Sequence, residues 1–349
     1  MIHYDVTKMG GRAPRSGLTR LSARLQHELR DWINPVAWDA WSRSWRNASD
    51  RRPARLADSD WLFTVELFSE AERPGFRDFL AAPPCRLAAM FHDAIPLRFP
   101  HITWPQSVQR HAEYMKLLAG FERTWAISRA TREEFLGFWR WQGVAPRGAV
   151  GVVELGADFD GAPRATVAGV PPGRPALLAV GIVEPRKNQE FLLDVAEALW
   201  RRGVDFDLHV VGRVNPHFGR PAGQRMRELA RREKRFRYHA AAPDGTLQRL
   251  YAEAAAVVLP TVAEGCGLPL LEALWRGVPC VCSDLPVLRE NADGGGCVVA
   301  PVGDGPAWVE ALRGLLADRA AQHRLREEAV RRPLPRWADT AAPIRAALG

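Results

Sequence analysis

Two glutamates, Glu264 and Glu272, stand in the chemically richest stretch of the chain, VVLPTVAEGCGLPLLEALWRGVPCVCSD. The apolar run 257–260 reads as the end of a buried strand, and 268–276 reads as a helix with Pro269 suited to its first turn. Between them, Gly265 and Gly267 let the backbone come close to a ligand and leave amides open. A helix N-terminus with such amides attracts an anion such as a diphosphate. Two carboxylates there would repel phosphate. They make better sense as acceptors for hydroxyl groups, those of a sugar and of a ribose.

A second cluster supplies the opposite charge. In VGIVEPRKNQEFLL, Arg186 and Lys187 fall just past a strand and just before a helix. Cations are unfavourable at a helix start, so their presence points to an anion held there. If a nucleoside diphosphate departs from this place, fixed cations stabilise the transition state more than the ground state, because the leaving group gains charge. In CRLAAMFHDAIPLRFP, His92 and Asp93 end another buried strand. His92 is either a satisfied core histidine or a group that meets a ligand. Asp93 either orients His92 or caps the turn before Pro96.

These phrases resemble the retaining glycosyltransferases of family 4, which have the GT-B fold. The segment from Glu264 to Glu272 is similar to that family's pair of glutamates separated by seven residues. The resemblance implies that Glu264 contacts the donor sugar, that Glu272 contacts the ribose, and that the amides of Gly265, Cys266, Gly267 and Leu268 face the sugar and phosphates. The phrase GIVEPRKN is similar to a motif of family members, many of them mannosyltransferases, in which Arg and Lys hold the donor phosphates. Some relatives carry a further Arg directly after the Gly; here that position is Ile182. Gly181 and Gly212, each closing a strand-like run, complete the expected nucleotide-sugar contacts. The HDxxPLRFP run resembles the same family, and the resemblance places His92 beside the donor sugar. Catalytic duty is thus expected of His92, Glu264, Arg186 and Lys187.

Near the N-terminus, GRAPRSGLTRLSARL corresponds to a Gly-rich loop that in the family faces phosphates and acceptor, which would involve Ser16, Gly17 and Arg20. Ser128 reads as a helix cap. Other candidates fail. Asp58 and Asp60 form a DxD-like triple ahead of a strand far from the motifs, and the resemblance implies no metal. His209 and His217 lack ligand spacing. Trp32, Trp38, Trp41 and Trp45 cluster in one region and read more readily as packing than as a stacking platform.

The elements that must position these groups alternate strand and helix, which predicts parallel sheets with crossover helices. Strands are expected near 2–6, 60–66, 85–91, 122–127 and 149–154, then near 176–182, 206–212, 236–239, 256–260, 279–282 and 297–300. Helices are expected near 18–31, 106–119 and 129–141, then near 188–203, 222–234, 244–254, 268–276 and 304–317. The segment 42–58 reads as irregular. A Gly- and Pro-bearing linker at 156–175 separates an acceptor-binding domain, 1–160, from a nucleotide-sugar-binding domain, 161–335. A tail helix, 336–349, would pack back on the first domain. The expected fold is α/β, GT-B: two doubly wound Rossmann-like domains facing a cleft, with ligands at the carboxyl ends of strands.

Composition fits that reading. The chain has 349 residues, 47% hydrophobic and 25% charged, with a formal net charge of +8. That is ordinary globular protein long enough for two domains. Its positive balance suits a protein that handles diphosphates or touches an anionic membrane face. The five cysteines include no CxxC pair and read as reduced buried thiols. MIHYDVTKMGG lacks the apolar core of a signal peptide, and no stretch reaches membrane-spanning length. The expected setting is cytoplasmic, with at most peripheral contact at the inner membrane face. No nucleic-acid module appears. No cofactor is expected, since the nucleotide sugar is a substrate. The donor leans toward GDP-mannose, with UDP- and dTDP-sugars as alternatives, and the acceptor is a glycan or a lipid-linked saccharide. The rivals are a sugar-nucleotide epimerase of similar fold and a catalytically silent nucleotide-sugar-binding module.

Overall fold

The computed structural model describes residues 1–9, 17–158 and 161–349. The chain divides into two compact units, Met1–Phe159 together with Pro335–Gly349, and Asp160–Leu334. In the first unit the strands are β1 (Ile2–Asp5), β2 (Ile33–Asp39), β3 (Ser44–Asn47), β4 (Trp61–Thr64), β5 (Arg86–Phe91), β6 (Arg123–Ala126) and β7 (Ala149–Val152). They form one sheet in the order β3-β2-β1-β4-β5-β6-β7. All neighbours are parallel except β2 with β3. The helices of this unit are α1 (Gly17–Leu29), α2 (Phe76–Ala81), α3 (Ile95–Arg98), α4 (Pro105–Leu117) and α5 (Arg129–Gln142).

The second unit holds β8 (Ala176–Val180), β9 (Asp207–Val211), β10 (Phe236–His239), β11 (Ala254–Leu259), β12 (Cys280–Ser283) and β13 (Cys297–Ala300), all parallel, in the order β10-β9-β8-β11-β12-β13. Its helices are α6 (Gln189–Arg201), α7 (Arg220–Arg232), α8 (Asp244–Glu253), α9 (Leu268–Trp275), α10 (Pro286–Ala292), α11 (Gly305–Ala317) and α12 (Arg319–Arg331). A last helix, α13 (Trp337–Leu348), belongs to the first unit and packs on α1. Every residue of β11 is buried. That is why it reads as an unbroken apolar run: a central parallel strand is covered on both faces. Among the described residues no helix is long and apolar enough to cross a membrane.

The region from 33 to 58 corrects the sequence reading. Residues 33–39, given no element by the sequence, form β2, and 44–47, expected to be irregular, form β3, which closes a hairpin in which Trp38 lies opposite Trp45. Both rings are buried and meet Phe76 edge-on at 5.2 and 6.0 Å. Pro35 sits inside β2, and β3 is the short, mostly polar run Ser-Trp-Arg-Asn, so local propensity argues against strands there. The long-range packing of two tryptophans overrides it. Trp41 at the turn is 91% exposed, and Trp32 is exposed as well. The helices α2, α3, α10 and α12 had no counterpart in the sequence reading. Of the linker expected at 156–175, the part 161–175 contains no strand or helix and is anchored to the second unit. The Arg164 guanidinium donates to the Ala329 and Arg332 carbonyls and lies 5.3 Å from the Trp275 ring centroid.

Beneath the carboxyl ends of β1 and β4 lies a buried charge cluster. Arg73 sits 2.7 Å from Asp5 and 2.8 Å from Glu66, and all three side chains are almost wholly buried. The Thr64 hydroxyl also donates to Asp5 at 2.6 Å, and the Lys8 amide donates to Glu66 at 2.7 Å. One guanidinium serves two carboxylates. Burial, reinforced by the Asp5 charge, pushes the Glu66 carboxyl up to about 8 against the pull of Arg73. Between its unfolded value near ~4.3 and that raised value, the folded state holds a proton the unfolded state has released. Stability from this group is therefore full at low pH and is lost as pH rises toward 8. Glu66→Gln mimics the protonated form. The stability of the parent relative to this variant, measured by urea unfolding, should fall between pH 5 and pH 8.5. A difference independent of pH would contradict the protonated assignment.

Candidate functional site

The order of the second sheet reverses between β8 and β11, which makes their carboxyl ends a topological switch point, where open α/β sheets bind ligands. The two motifs follow these two strands. Gly181 to Lys187 leave β8, and Glu264 to Leu268 leave β11. A backbone hydrogen bond from the Val262 amide to the Arg186 carbonyl, 2.8 Å, ties one loop to the other.

The glycines have steric reasons. Gly181 and Gly212 end β8 and β9, and the Gly181 amide donates to the Val211 carbonyl at 2.9 Å. A Cβ on Gly212 would lie 1.8 Å from the Gly181 carbonyl oxygen. The two backbones touch, so no side chain fits at Gly212. Gly267 is the N-cap of α9 with φ 82°, a left-handed conformation that glycine alone adopts without strain. Gly265, Cys266 and Gly267 are buried, while Leu268 is half-buried at the helix start. The Asn291 amide, from α10, donates to the Cys266 carbonyl and pins the loop. Burial pushes the Cys266 thiol up to about 12, so it stays protonated.

Arg186 and Lys187 occupy a short 3-10 turn, Pro185–Lys187, ahead of α6. The structure brings both cations to Glu264. The Lys187 ammonium donates to Glu264 Oε1, and Arg186 Nη1 lies 3.4 Å from Glu264 Oε2. Arg186 Nε is also 2.5 Å from Glu184 Oε1, whose other oxygen accepts from the Asn215 amide at 2.9 Å. Two cations and two carboxylates thus balance one another. This explains how a helix start tolerates them. Burial pushes the Lys187 ammonium below the usual lysine value, and Glu264 offsets that only in part. For Glu264 burial acts upward, but the Lys187 and Arg186 cations outweigh it and hold the carboxyl below its ordinary value.

Glu272 lies on the inner side of α9 and is buried. Its Oε2 accepts from the Tyr251 hydroxyl, on α8, at 3.0 Å. Glu264 and Glu272 therefore have different surroundings: one sits in the ion cluster and the other against an aromatic hydroxyl.

His92 belongs to the first unit, one residue past β5. Its Nε2 donates to the Val65 carbonyl at 2.7 Å, which leaves Nδ1 as the ring's acceptor. Burial pushes its pKa below the ordinary value and keeps the ring neutral. Asp93 caps the turn: its Oδ1 accepts from the Ile95 amide at 3.0 Å. His111, from α4, donates to the Asp93 carbonyl at 2.8 Å. Gly17 is the first residue of α1 and is exposed, and Arg20 follows in the first turn. Ser16, with most of the loop before Gly17, lies outside the described residues. Ser128 caps α5 through the Thr131 amide at 3.0 Å. Asp60 of the DxD-like triple is engaged by the N-terminal amine at 3.1 Å and by the Ala57 amide at 2.9 Å, while Asp58 is exposed. His209 and His239 form a hydrogen-bonded, stacked pair at 3.2 Å. Among the described residues no group of three His, Cys, Asp or Glu side chains could hold a metal ion.

Sequence reasoning missed Glu184, Asn215 and Tyr251. Glu184 stands inside the EPRKN phrase and could have been noticed as the counter-charge to Arg186. Asn215 and Tyr251 carry no local signal, because their partners lie far away in the sequence.

Residues 174–318 match the profile of the family described as "Glycosyl transferases group 1". The chain is 31% identical over 218 residues to the serotype-specific mannosyltransferase WbdA of Escherichia coli, covering 58% of this chain and 26% of that protein. The chain thus spans about a quarter of that relative's length. Among solved structures, a sucrose-phosphate synthase from Thermosynechococcus elongatus superposes with a TM-score of 0.74 at 17% identity, over 99% of this chain and 97% of the other. HepE of Anabaena, in complex with UDP and glucose, gives a TM-score of 0.70 at 12% identity over 99% and 98%. The fold is GT-B, with two Rossmann-like units in one chain.

Proposed function

We propose that this chain is a glycosyltransferase that moves a sugar from a nucleotide sugar to a hydroxyl group of a glycan or lipid-linked acceptor, in the synthesis of a cell-surface polysaccharide or glycolipid. The carrying observation is the convergence of Arg186, Lys187 and Glu264 at the β8/β11 switch point. The match of residues 174–318 to group 1 glycosyl transferases and the likeness to a mannosyltransferase support it.

In this reading the donor diphosphate lies against Arg186, Lys187 and the amides that open α9. Glu264 holds the sugar and Glu272 the ribose. His92, neutral with Nδ1 as acceptor, takes a hydrogen bond from a sugar hydroxyl. The acceptor hydroxyl attacks the face from which the diphosphate leaves, with retention of configuration. The departing phosphate takes the acceptor's proton, and the bond to the anomeric carbon passes from phosphate oxygen to acceptor oxygen. The transition state is oxocarbenium-like, and the cations stabilise the charge gathering on the leaving phosphate. The residues named perform this without a metal or cofactor. The donor is GDP-mannose, which the EPRKN phrase and the mannosyltransferase relative favour. A lipid-linked acceptor would bring the protein to the inner membrane face.

A thermal-shift panel with GDP, UDP, dTDP and CMP tests the donor site. One nucleotide, GDP by this reading, should stabilise the protein clearly, because a ligand at about 100 times its dissociation constant adds about 2.7 kcal/mol. Glu272→Ala should weaken that nucleotide's binding, while Glu264→Ala mainly lowers turnover. No stabiliser among the four, or equal and negligible effects of both substitutions, would remove the basis of the assignment. Incubation with the donor alone separates the alternatives: slow hydrolysis fits a transferase, and an isomerised donor fits an epimerase.

A further inference from the structure

We infer that Tyr251 is a positioning residue for the nucleotide's ribose, acting through Glu272; the inference rests on the ribose-binding reading of Glu272 given above. Tyr251 is fully buried near the end of α8, and its hydroxyl donates to Glu272 Oε2 at 3.0 Å. Arg276 contacts both members of the pair. Its Nη1 donates to the Glu272 carbonyl at 2.8 Å, and its guanidinium lies 4.6 Å from the centroid of the Tyr251 ring.

The physical reason is geometric. A glutamate side chain on a helix has three rotatable bonds, and its terminal torsion is soft. A carboxylate receives two neighbouring hydroxyl groups well only when its plane is fixed. One strong donor on Oε2 fixes that plane. A buried tyrosine hydroxyl needs an acceptor. Here the acceptor is the one carboxylate of α9 that the ribose reading requires, and hydrogen bonds to a charged acceptor are about twice as strong as neutral ones. Tyr251 thus spends its hydroxyl on holding Glu272 in a single orientation before any nucleotide arrives, which lowers the cost of ordering on binding.

The test uses the full chain with GDP and 2′,3′-dideoxy-GDP, or the UDP pair if UDP is the stabiliser, and reads dissociation constants by calorimetry. Tyr251→Phe keeps the ring and its contact with Arg276 and removes only the hydroxyl. It should weaken GDP binding about tenfold and leave dideoxy-GDP binding within twofold of the parent. In a Glu272→Gln background the same substitution should add little, since the two residues act as one unit. Equal weakening of both nucleotides would overturn the inference and leave Tyr251 a packing residue. So would an unchanged GDP affinity. A parent that does not distinguish GDP from its dideoxy form would instead refute the ribose reading of Glu272 itself, a separate failure visible before any variant is made.

Discussion

Lys187→Ala should lower kcat/KM for sugar transfer at least a hundredfold. Removing one preorganised group that faces developing negative charge typically costs about 10²–10³ in rate. Lys187 is well placed for such an effect because only 12% of its side chain is exposed, so its charge is weakly screened by water. It is also the side chain that holds Glu264. The loss should appear in kcat and in nucleoside diphosphate affinity together, because in the proposed reaction the diphosphate is bound in the ground state and charged further in the transition state. The depressed pKa of this ammonium adds a pH signature: activity should decline on the alkaline side below the usual lysine range, as the amine loses its proton. Lys187→Arg retains charge but brings a larger planar group into a tight place and should restore only part of the rate. Steady-state kinetics with a fixed acceptor decide the matter. A Lys187→Ala rate within threefold of the parent would contradict the phosphate role.

Arg73→Met should destabilise the first unit by about 3–5 kcal/mol, the usual cost of removing one partner from a buried ion pair. The side chain is 1% exposed and faces Asp5 and Glu66. Its guanidinium also lies 5.2–5.7 Å from the ring centroids of Phe76, Phe68 and Trp45. Methionine preserves much of the volume against those rings but strands two carboxyl groups in a low-dielectric place. Glu66 already holds a proton below about pH 8, so the stranded charge is that of Asp5. The Asp5 carboxylate then keeps the Thr7 and Thr64 hydroxyls as donors but has lost its cation. Converting Asp5 to Asn and Glu66 to Gln in the Arg73→Met background should recover part of the loss, because it removes the stranded charge but leaves buried amides to be satisfied. Denaturant unfolding followed by tryptophan fluorescence reports on this directly, since Trp45 adjoins the guanidinium. A loss below 1 kcal/mol in the single variant would show that the cluster carries little stability.

The strand–helix alternation and the two motif loops were legible in the order of residues alone. Parallel strands buried on both faces must be short apolar runs, and β8, β11 and β12 announce themselves in that way. Gly267 was legible because it answers a local backbone demand, a left-handed N-cap, whereas the need for Gly212 arises from the Gly181 backbone on the neighbouring strand. Ser128 was legible as a cap because its partner, Thr131, is three residues away. The tertiary structure decided everything whose partner lies far off. The strands β2 and β3 exist through the meeting of Trp38 and Trp45 with Phe76, against the propensity of their own residues. The family resemblance implied Glu264 at the sugar and the two cations at the phosphates, as separate groups. The fold joins them into one neutral cluster across 77 positions of chain, completed by Glu184 and Asn215. Tyr251 reaches Glu272 from another helix, and Arg73 reaches Asp5 from beyond the next strands in order. Spacing in a sequence encodes the geometry of a turn or a cap; the pairing of buried charges follows from which strands become neighbours, and that is set by the packing of the whole sheet.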